Sequence, residues 1–173
     1  PLYCFGYGKG YTDFSLVTKE VTADEKLVKV EVEVTNIGKV YPGREVVQVY
    51  YSAPDGVMEK PTQELAGFAK TKLLMPGEKE VVTVTFATED MASYDSYDAA
   101  WVMEEGEYTI RVGNSSRTTE VAAIIDLDET VQTVLLKNVM KDKEFVKEIH
   151  HMVPIFDLEL DDTPFMRQIL IYA

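Results

Sequence analysis

Gly43-Arg44-Glu45-Val46-Val47-Gln48-Val49-Tyr50-Tyr51-Ser52-Ala53-Pro54 is the stretch that decides the fold class of this chain. β-Branched and aromatic residues dominate it, Tyr41-Pro42-Gly43 forms the turn that launches it, and Pro54 closes it, which predicts a long strand. Val47, Val49 and Tyr51 fall on one side, with Val46, Gln48 and Tyr50 on the other, so both faces are expected to be at least partly covered. A central strand, or one facing a neighbouring domain, has this pattern. Beyond it, Lys60-Pro61-Thr62-Gln63-Glu64-Leu65-Ala66-Gly67-Phe68-Ala69-Lys70 reads as a proline-marked crossover into another extended run, broken by Gly67. Strand, crossover and strand in that order point to a sandwich.

The flanks carry the same period. Upstream, Phe14 to Thr18 predicts a first short strand, and Leu27 to Asn36 alternates plainly, with Val28, Val30, Val32 and Val34 opposite Lys29, Glu31, Glu33 and Thr35. Asn36-Ile37-Gly38 supplies a turn. Downstream, Met75-Pro76-Gly77-Glu78 is a tight turn into Lys79 to Phe86, where Val82, Val84 and Phe86 oppose Val81, Thr83 and Thr85 and both parities remain open as the inward face. Thr88 is placed to cap a single helical turn. Ala99 to Met103, Glu107 to Gly113 and Thr118 to Ile125 complete about seven strands at sandwich spacing, in an all-β unit from about Tyr11 to Asp126.

After Asp126 the composition changes. Thr130 is placed to cap a helix holding Val131, Val134, Leu135, Val139 and Met140, Asp142 to cap another through Phe145, Val146, Ile149 and His150, and Thr163-Pro164 to start a third. The expected organisation is therefore a leader over residues 1–12, a β-sandwich over 13–126, and a helical C-terminal appendage or linker towards a further domain over 127–173.

Composition narrows the partners. With 30 acids against 17 bases the chain has a formal charge of −13, which repels nucleic-acid phosphates and anionic membranes, so neither is expected as a partner. No stretch approaches the roughly 20 apolar residues of a membrane-spanning helix. The single cysteine, Cys4, allows neither an intrachain disulfide nor a cysteine zinc cage, and it leaves the compartment open. The chain opens on Pro1 and is expected to be a piece of a longer polypeptide.

Candidate chemistry is sparse. Glu104-Glu105 and the Asp126/Asp128 pair have the residue type of a carboxylate dyad, but they sit in turns with no sugar platform beside them and read as solvated. Asp157, Glu159, Asp161 and Asp162 lack the glycine and terminal glutamate of a calcium loop. His150 and His151, adjacent on an expected helix, point about 100° apart and make a poor metal clamp. The glycines of Phe5-Gly6-Tyr7-Gly8-Lys9-Gly10 lack the ending of a phosphate loop, so the leader reads as an ordered connector whose rings pack between domains. Trp101, the one tryptophan, is expected to fill the core, where truncation to alanine would cost ~3–5 kcal/mol; the other reading of an exposed tryptophan is stacking on a sugar.

Gly43 to Tyr50 with Ser52-Ala53-Pro54, Lys60-Pro61 with Glu64-Leu65-Ala66-Gly67-Phe68, Leu73-Leu74-Met75-Pro76-Gly77-Glu78, and Gly106-Glu107-Tyr108 with Val112-Gly113-Asn114-Ser115-Ser116 together resemble the fibronectin type III-like domain of glycoside hydrolase family 3. Phe5-Gly6-Tyr7-Gly8 with Tyr11-Thr12 and Phe14 is similar to the segment leading into that domain, although Cys4 stands where proline is common and Lys9-Gly10 where leucine-serine is. The resemblance implies an immunoglobulin-like β-sandwich that is a noncatalytic accessory domain of a β-glucosidase-type enzyme. Its implied partners are the catalytic barrel and α/β sandwich domains of the same parent, with a loop lent near the active-site entrance and a β-glucoside as the parent's substrate. The family's nucleophile and acid/base lie in those other domains, no position here matches their motifs, and no catalytic, cofactor or metal residue is carried over. The other functional class the residues allow is an independent carbohydrate-binding or adhesion module.

Overall fold

The structure, a computed structural model, describes residues 2–96, 98–135 and 171–172. Its strands are β1 (Phe14–Ala23), β2 (Leu27–Asn36), β3 (Val46–Ser52), β4 (Glu64–Lys70), β5 (Lys79–Ala87), β6 (Ser93–Asp95), β7 (Ala100–Met103), β8 (Gly106–Ser115), β9 (Thr118–Leu127), β10 (Val131–Leu135) and β11 (Ile171–Tyr172). They form antiparallel sheets in the orders β1-β2-β5, β11-β9-β8-β3-β4 and β10-β7-β6. The first two sheets share one apolar core, and the architecture is all-β as expected.

Period two becomes burial most directly in β2. Val28, Val30, Val32 and Val34 are all fully buried, while the residues between them keep partial contact with water. Register then settles the parity of β5, because Val30 pairs with Val84 and Val32 with Val82, placing Val82, Val84 and Phe86 on the inner face and leaving Val81 outside. In β3 the five residues from Val47 to Tyr51 are all buried, since β4 and β8 flank it and both of its faces are covered. β4 runs through Gly67, with the extra residue of a bulge at Ala66. A Cβ on Gly67 would stand 2.8 Å from Val84 Cγ1, so glycine here lets the two sheets approach.

Two tyrosine and asparagine side chains lock the corners. The Tyr108 hydroxyl donates to the carbonyl of Glu104 four residues upstream at 3.1 Å, the tyrosine corner of immunoglobulin-like sandwiches. Asn36 is fully buried and its amide donates to the carbonyls of Tyr41 and Leu74, while its oxygen accepts from Thr12 Oγ1 and the Gly38 N–H. One side chain thus ties the leader, the turn after β2 and the approach to β5.

The structure departs from expectation at several places. β1 continues to Ala23, past a bulge at Lys19. A single 3-10 turn over Thr88–Met91 is present, but Thr88 is buried with its hydroxyl on the Asp24 carbonyl, and the Asp90 carboxylate accepts from the Ala87 N–H instead. Val131–Leu135, expected as the opening of a helix, is a strand paired with β7. Its apolar residues fit a helical face, but Val131, Thr133 and Val134 are β-branched and the free edge of β7 offers ladder partners. Thr130 Oγ1 accepts from the Glu105 N–H, so it caps a turn rather than a helix. The strand total among the described residues exceeds about seven because β6, β7 and β10 build a third sheet and β11 adds a strand to the large one. Ile171–Tyr172, within the expected helical tail, is thus a strand paired with β9, and the helices expected from Val139 to Leu170 lie outside the described residues.

Candidate docking face

Strand register shows which side chains share the outer face of the large sheet. Phe68, Gln48, Gly113 and Thr119 form one cross-strand row, and Leu65, Tyr50, Arg111 and Val121 form the next. Ile124 lies on the same face opposite Thr109. Phe68 is 68% exposed, and Leu65, Val121 and Ile124 are also exposed, so exposed apolar side chains stand on β4 and on β9, to either side of β3 and β8. Arg111 stands in the row between them, its Nε donating to Thr119 Oγ1.

The leader completes this face. Phe5 accepts a hydrogen bond through its carbonyl from the Ser116 N–H at 2.9 Å, and Gly6 passes directly over Gln48, where a Cβ would come within 2.3 Å of the Gln48 Nε2. Gly6 also adopts φ 79°, a conformation that glycine enters without strain. Beneath the leader, the Tyr50 hydroxyl donates to Gln48 and Gln48 donates to the Asn114 carbonyl, so the polar groups on the covered part of the sheet are paired. Burial, with Cys4 beside it, holds the Tyr50 phenol above its ordinary value. The rings of the leader point away from this layer: Tyr3 stacks on Tyr7 at 4.9 Å, Tyr11 meets Tyr41 edge-on at 6.1 Å, and Tyr3, Phe5, Tyr7 and Tyr11 are all exposed. A cleft of about 490 Å³ between the leader and the ends of β3 and β8 is lined by Tyr7, Lys9, Arg44, Glu45 and Asn114 among others, and it holds no nucleophile paired with a base. The exposed aliphatic and aromatic side chains of β4, β9 and the leader thus lie on one side of the molecule.

The sequence candidates fall elsewhere. Glu104 is not half of a carboxylate dyad: it is nearly buried in an ion pair with Lys60 and accepts from the Val57 and Met58 N–H groups. Glu105, Asp126 and Asp128 are not assembled with it into a metal-binding group, and no cluster of three or more histidine, cysteine or acidic side chains occurs among the described residues. Cys4 is a half-buried free thiol. Trp101, expected in the core, is 42% exposed: it shares its face of β7 with the buried Met103 but stands between the exposed Tyr94 and Val134 of the flanking strands. His150, His151, Asp157, Glu159, Asp161 and Asp162 lie outside the described residues. The Lys60–Glu104 pair and the exposed apolar side chains of the outer face were missed in the sequence; Phe68 and Leu65 were visible, but only strand register places them on one face with Val121 and Ile124.

Comparison with known proteins agrees with this architecture. Residues 45–116 match the family model of the fibronectin type III-like domain. The chain is 42% identical over 171 residues to β-glucosidase A of Butyrivibrio fibrisolvens, covering 88% of this chain and 20% of that protein. It is 35% identical to a β-glucosidase of Ruminococcus albus over 94% of this chain and 17% of the relative. Among solved structures, the β-glucosidase of Paenibacillus barengoltzii superposes with a TM-score of 0.74 at 40% identity, over 79% of this chain and 16% of the other. β-Glucosidase 3B of Thermotoga neapolitana, in complex with α-D-glucose, gives 0.66 at 40% identity, over 76% and 18%. The chain therefore spans about a fifth of the length of the curated relatives it matches. It contains, in residues 45–116, a member of the fibronectin type III-like domain family, in a context similar to one segment of much longer β-glucosidases.

Proposed function

We propose that this chain is a noncatalytic accessory module of a family 3 glycoside hydrolase of the β-glucosidase type, and that it braces the parent's catalytic barrel and α/β sandwich domains. The observation that carries the reading is the exposed Leu65 and Phe68 on β4 and Val121 and Ile124 on β9, on the face that the aromatic leader crosses, in a module that covers about a fifth of its relatives. In this reading residues 1–12 are the interdomain leader and β1, β2 and β5 over β9, β8, β3 and β4 are a seven-strand sandwich. The third sheet is an addition to it, and the residues between β10 and β11 are a tail or a linker towards a further domain. The parent's substrate is a β-glucoside. One loop of the module is lent towards the active-site entrance.

The test uses the full-length parent. Phe68→Glu with Val121→Glu places two charges on the face and is expected to lower the parent's thermal midpoint by several degrees, while the 173-residue chain alone keeps its own midpoint. Equal midpoints in the parent would refute docking through this face. Turnover of an aryl β-glucoside by the 173-residue chain would refute the noncatalytic assignment.

A further inference from the structure

The third sheet presents a row of side chains used neither by the core nor by the docking face. Tyr94 on β6, Trp101 on β7 and Val134 on β10 are direct cross-strand partners, hence on one face, and they are 45%, 42% and 42% exposed. On that same face the next cross-strand pair, Met103 with Val131, is buried, and Ala100 on the other face of β7 is buried too. Thr133 Oγ1 donates to the Trp101 carbonyl at 3.2 Å, which fixes the backbone that carries the indole. The Tyr94 and Trp101 rings stand 5.5 Å apart at an interplanar angle of 56°, so they form two walls of a shallow angle rather than one plane. The chain enters β7 through Ala99 at φ 50°, the one non-glycine residue with positive φ among those described, and such strain is characteristic of ligand-contacting segments.

Size and charge select the occupant. Half-exposed rings leave on the order of 100 Å² open apiece, far less in total than the roughly 800 Å² per partner that a stable protein interface needs. A small ligand matches the row. Asp95 ends β6 and accepts from the N–H of Asp98 in the turn that leads to β7, in a chain of formal charge −13, so an anion is repelled. An uncharged pyranose fits both constraints, its C–H face lying against an aromatic ring.

We propose that Tyr94 and Trp101 form a contact site for a neutral, β-linked glucosaccharide; the choice of β-glucoside rests on the reading of the parent given above. Trp101 is the chain's one tryptophan, so its emission reports on this site alone. Titrating the 173-residue chain with cellotetraose is expected to shift that emission to the blue and saturate with a half-point on the order of 1 mM. Tyr94→Ala is expected to weaken the response about tenfold, equivalent to 1.4 kcal/mol, with the thermal midpoint retained. Tyr94→Leu, which keeps the row apolar, serves if the alanine variant does not fold. No saturable shift, a shift that loss of the Tyr94 ring leaves unchanged, or saturation by tetramethylammonium but not by cellotetraose would each overturn the site. A null result here alongside a lowered midpoint for the docking-face variants removes this site alone and leaves the accessory reading standing.

Discussion

Glu104 organises more structure than any other acid in the described residues. Its carboxylate accepts from the Val57 N–H at 2.7 Å, reaches the Met58 N–H, and pairs with Lys60, whose Nζ also donates to the Pro54 carbonyl at 2.9 Å. Both charged side chains are nearly buried, so the loop is tied down from inside rather than by a surface ion pair. Burial works against the charged carboxylate, but the hydrogen bonds from Lys60, Val57 and Met58 outweigh it and hold Glu104 below its ordinary value of 4.5. The folded state therefore binds this proton less readily than the unfolded chain. The stability Glu104 contributes is present above about pH 4.5 and is lost as the pH falls through the lower folded value. Glu104→Gln is expected to lower stability by about 3 kcal/mol at neutral pH, because it leaves Lys60 buried without its counter-charge. Urea unfolding at pH 7 and pH 3 checks this: the gap between wild type and variant should narrow in acid, and a gap that stays constant would assign the loss to packing.

Among the elements, β2 and β5 show how pairing turns one ambiguous strand into a definite one. β2 alone reveals its inner face, since valines alternate with charged residues. β5 has valine at both parities, and its inner face follows from which residues lie opposite the β2 valines. Val32→Ala removes two buried methyl groups and is expected to cost about 2 kcal/mol, whereas Val81→Ala on the same ladder should cost less than about 0.5 kcal/mol. Denaturant midpoints of the two variants decide the point. Equal losses would place Val81 inside and reverse the register. β7 obeys the same physics with a different outcome: Ala100, Trp101, Val102 and Met103 are apolar throughout, so nothing local says that the indole faces out.

At the scale of the whole molecule, the sandwich and the leader are held by different kinds of contact. The sandwich rests on a continuous buried core, whereas the leader rests on the Phe5–Ser116 hydrogen bond, the Thr12–Asn36 hydrogen bond and the close passage of Gly6 over Gln48. Segments with few buried apolar contacts open locally at lower free energy than the core. Gly6→Val strains φ and drives a side chain into Gln48 and the Asn114 carbonyl, so the leader should lift while the sandwich stays folded. Cys4, the chain's one thiol, reads this out: its labelling by a thiol reagent should accelerate at least about tenfold in Gly6→Val, with the global unfolding midpoint lowered by about 1 kcal/mol or less. Unchanged labelling would mean that the leader is anchored elsewhere. An anchored leader with outward rings, on the same side as the exposed Phe68 and Val121, is suited to meeting a larger body.

The sequence by itself determined the all-β class, the bounds of β2, the two-faced character of β3 and the turns at Asn36-Ile37-Gly38 and Met75-Pro76-Gly77-Glu78. These were legible because residue alternation and turn chemistry are local properties, carried by neighbours in the chain. Only the tertiary structure decided that Trp101 is exposed, that Val131–Leu135 pairs with β7 instead of coiling, that Glu104 holds Lys60 across 44 positions, and that Phe68, Val121 and the leader form one face. Each of these depends on which strands lie side by side. Cross-strand register brings together residues far apart in sequence, and no periodicity within a single segment encodes it.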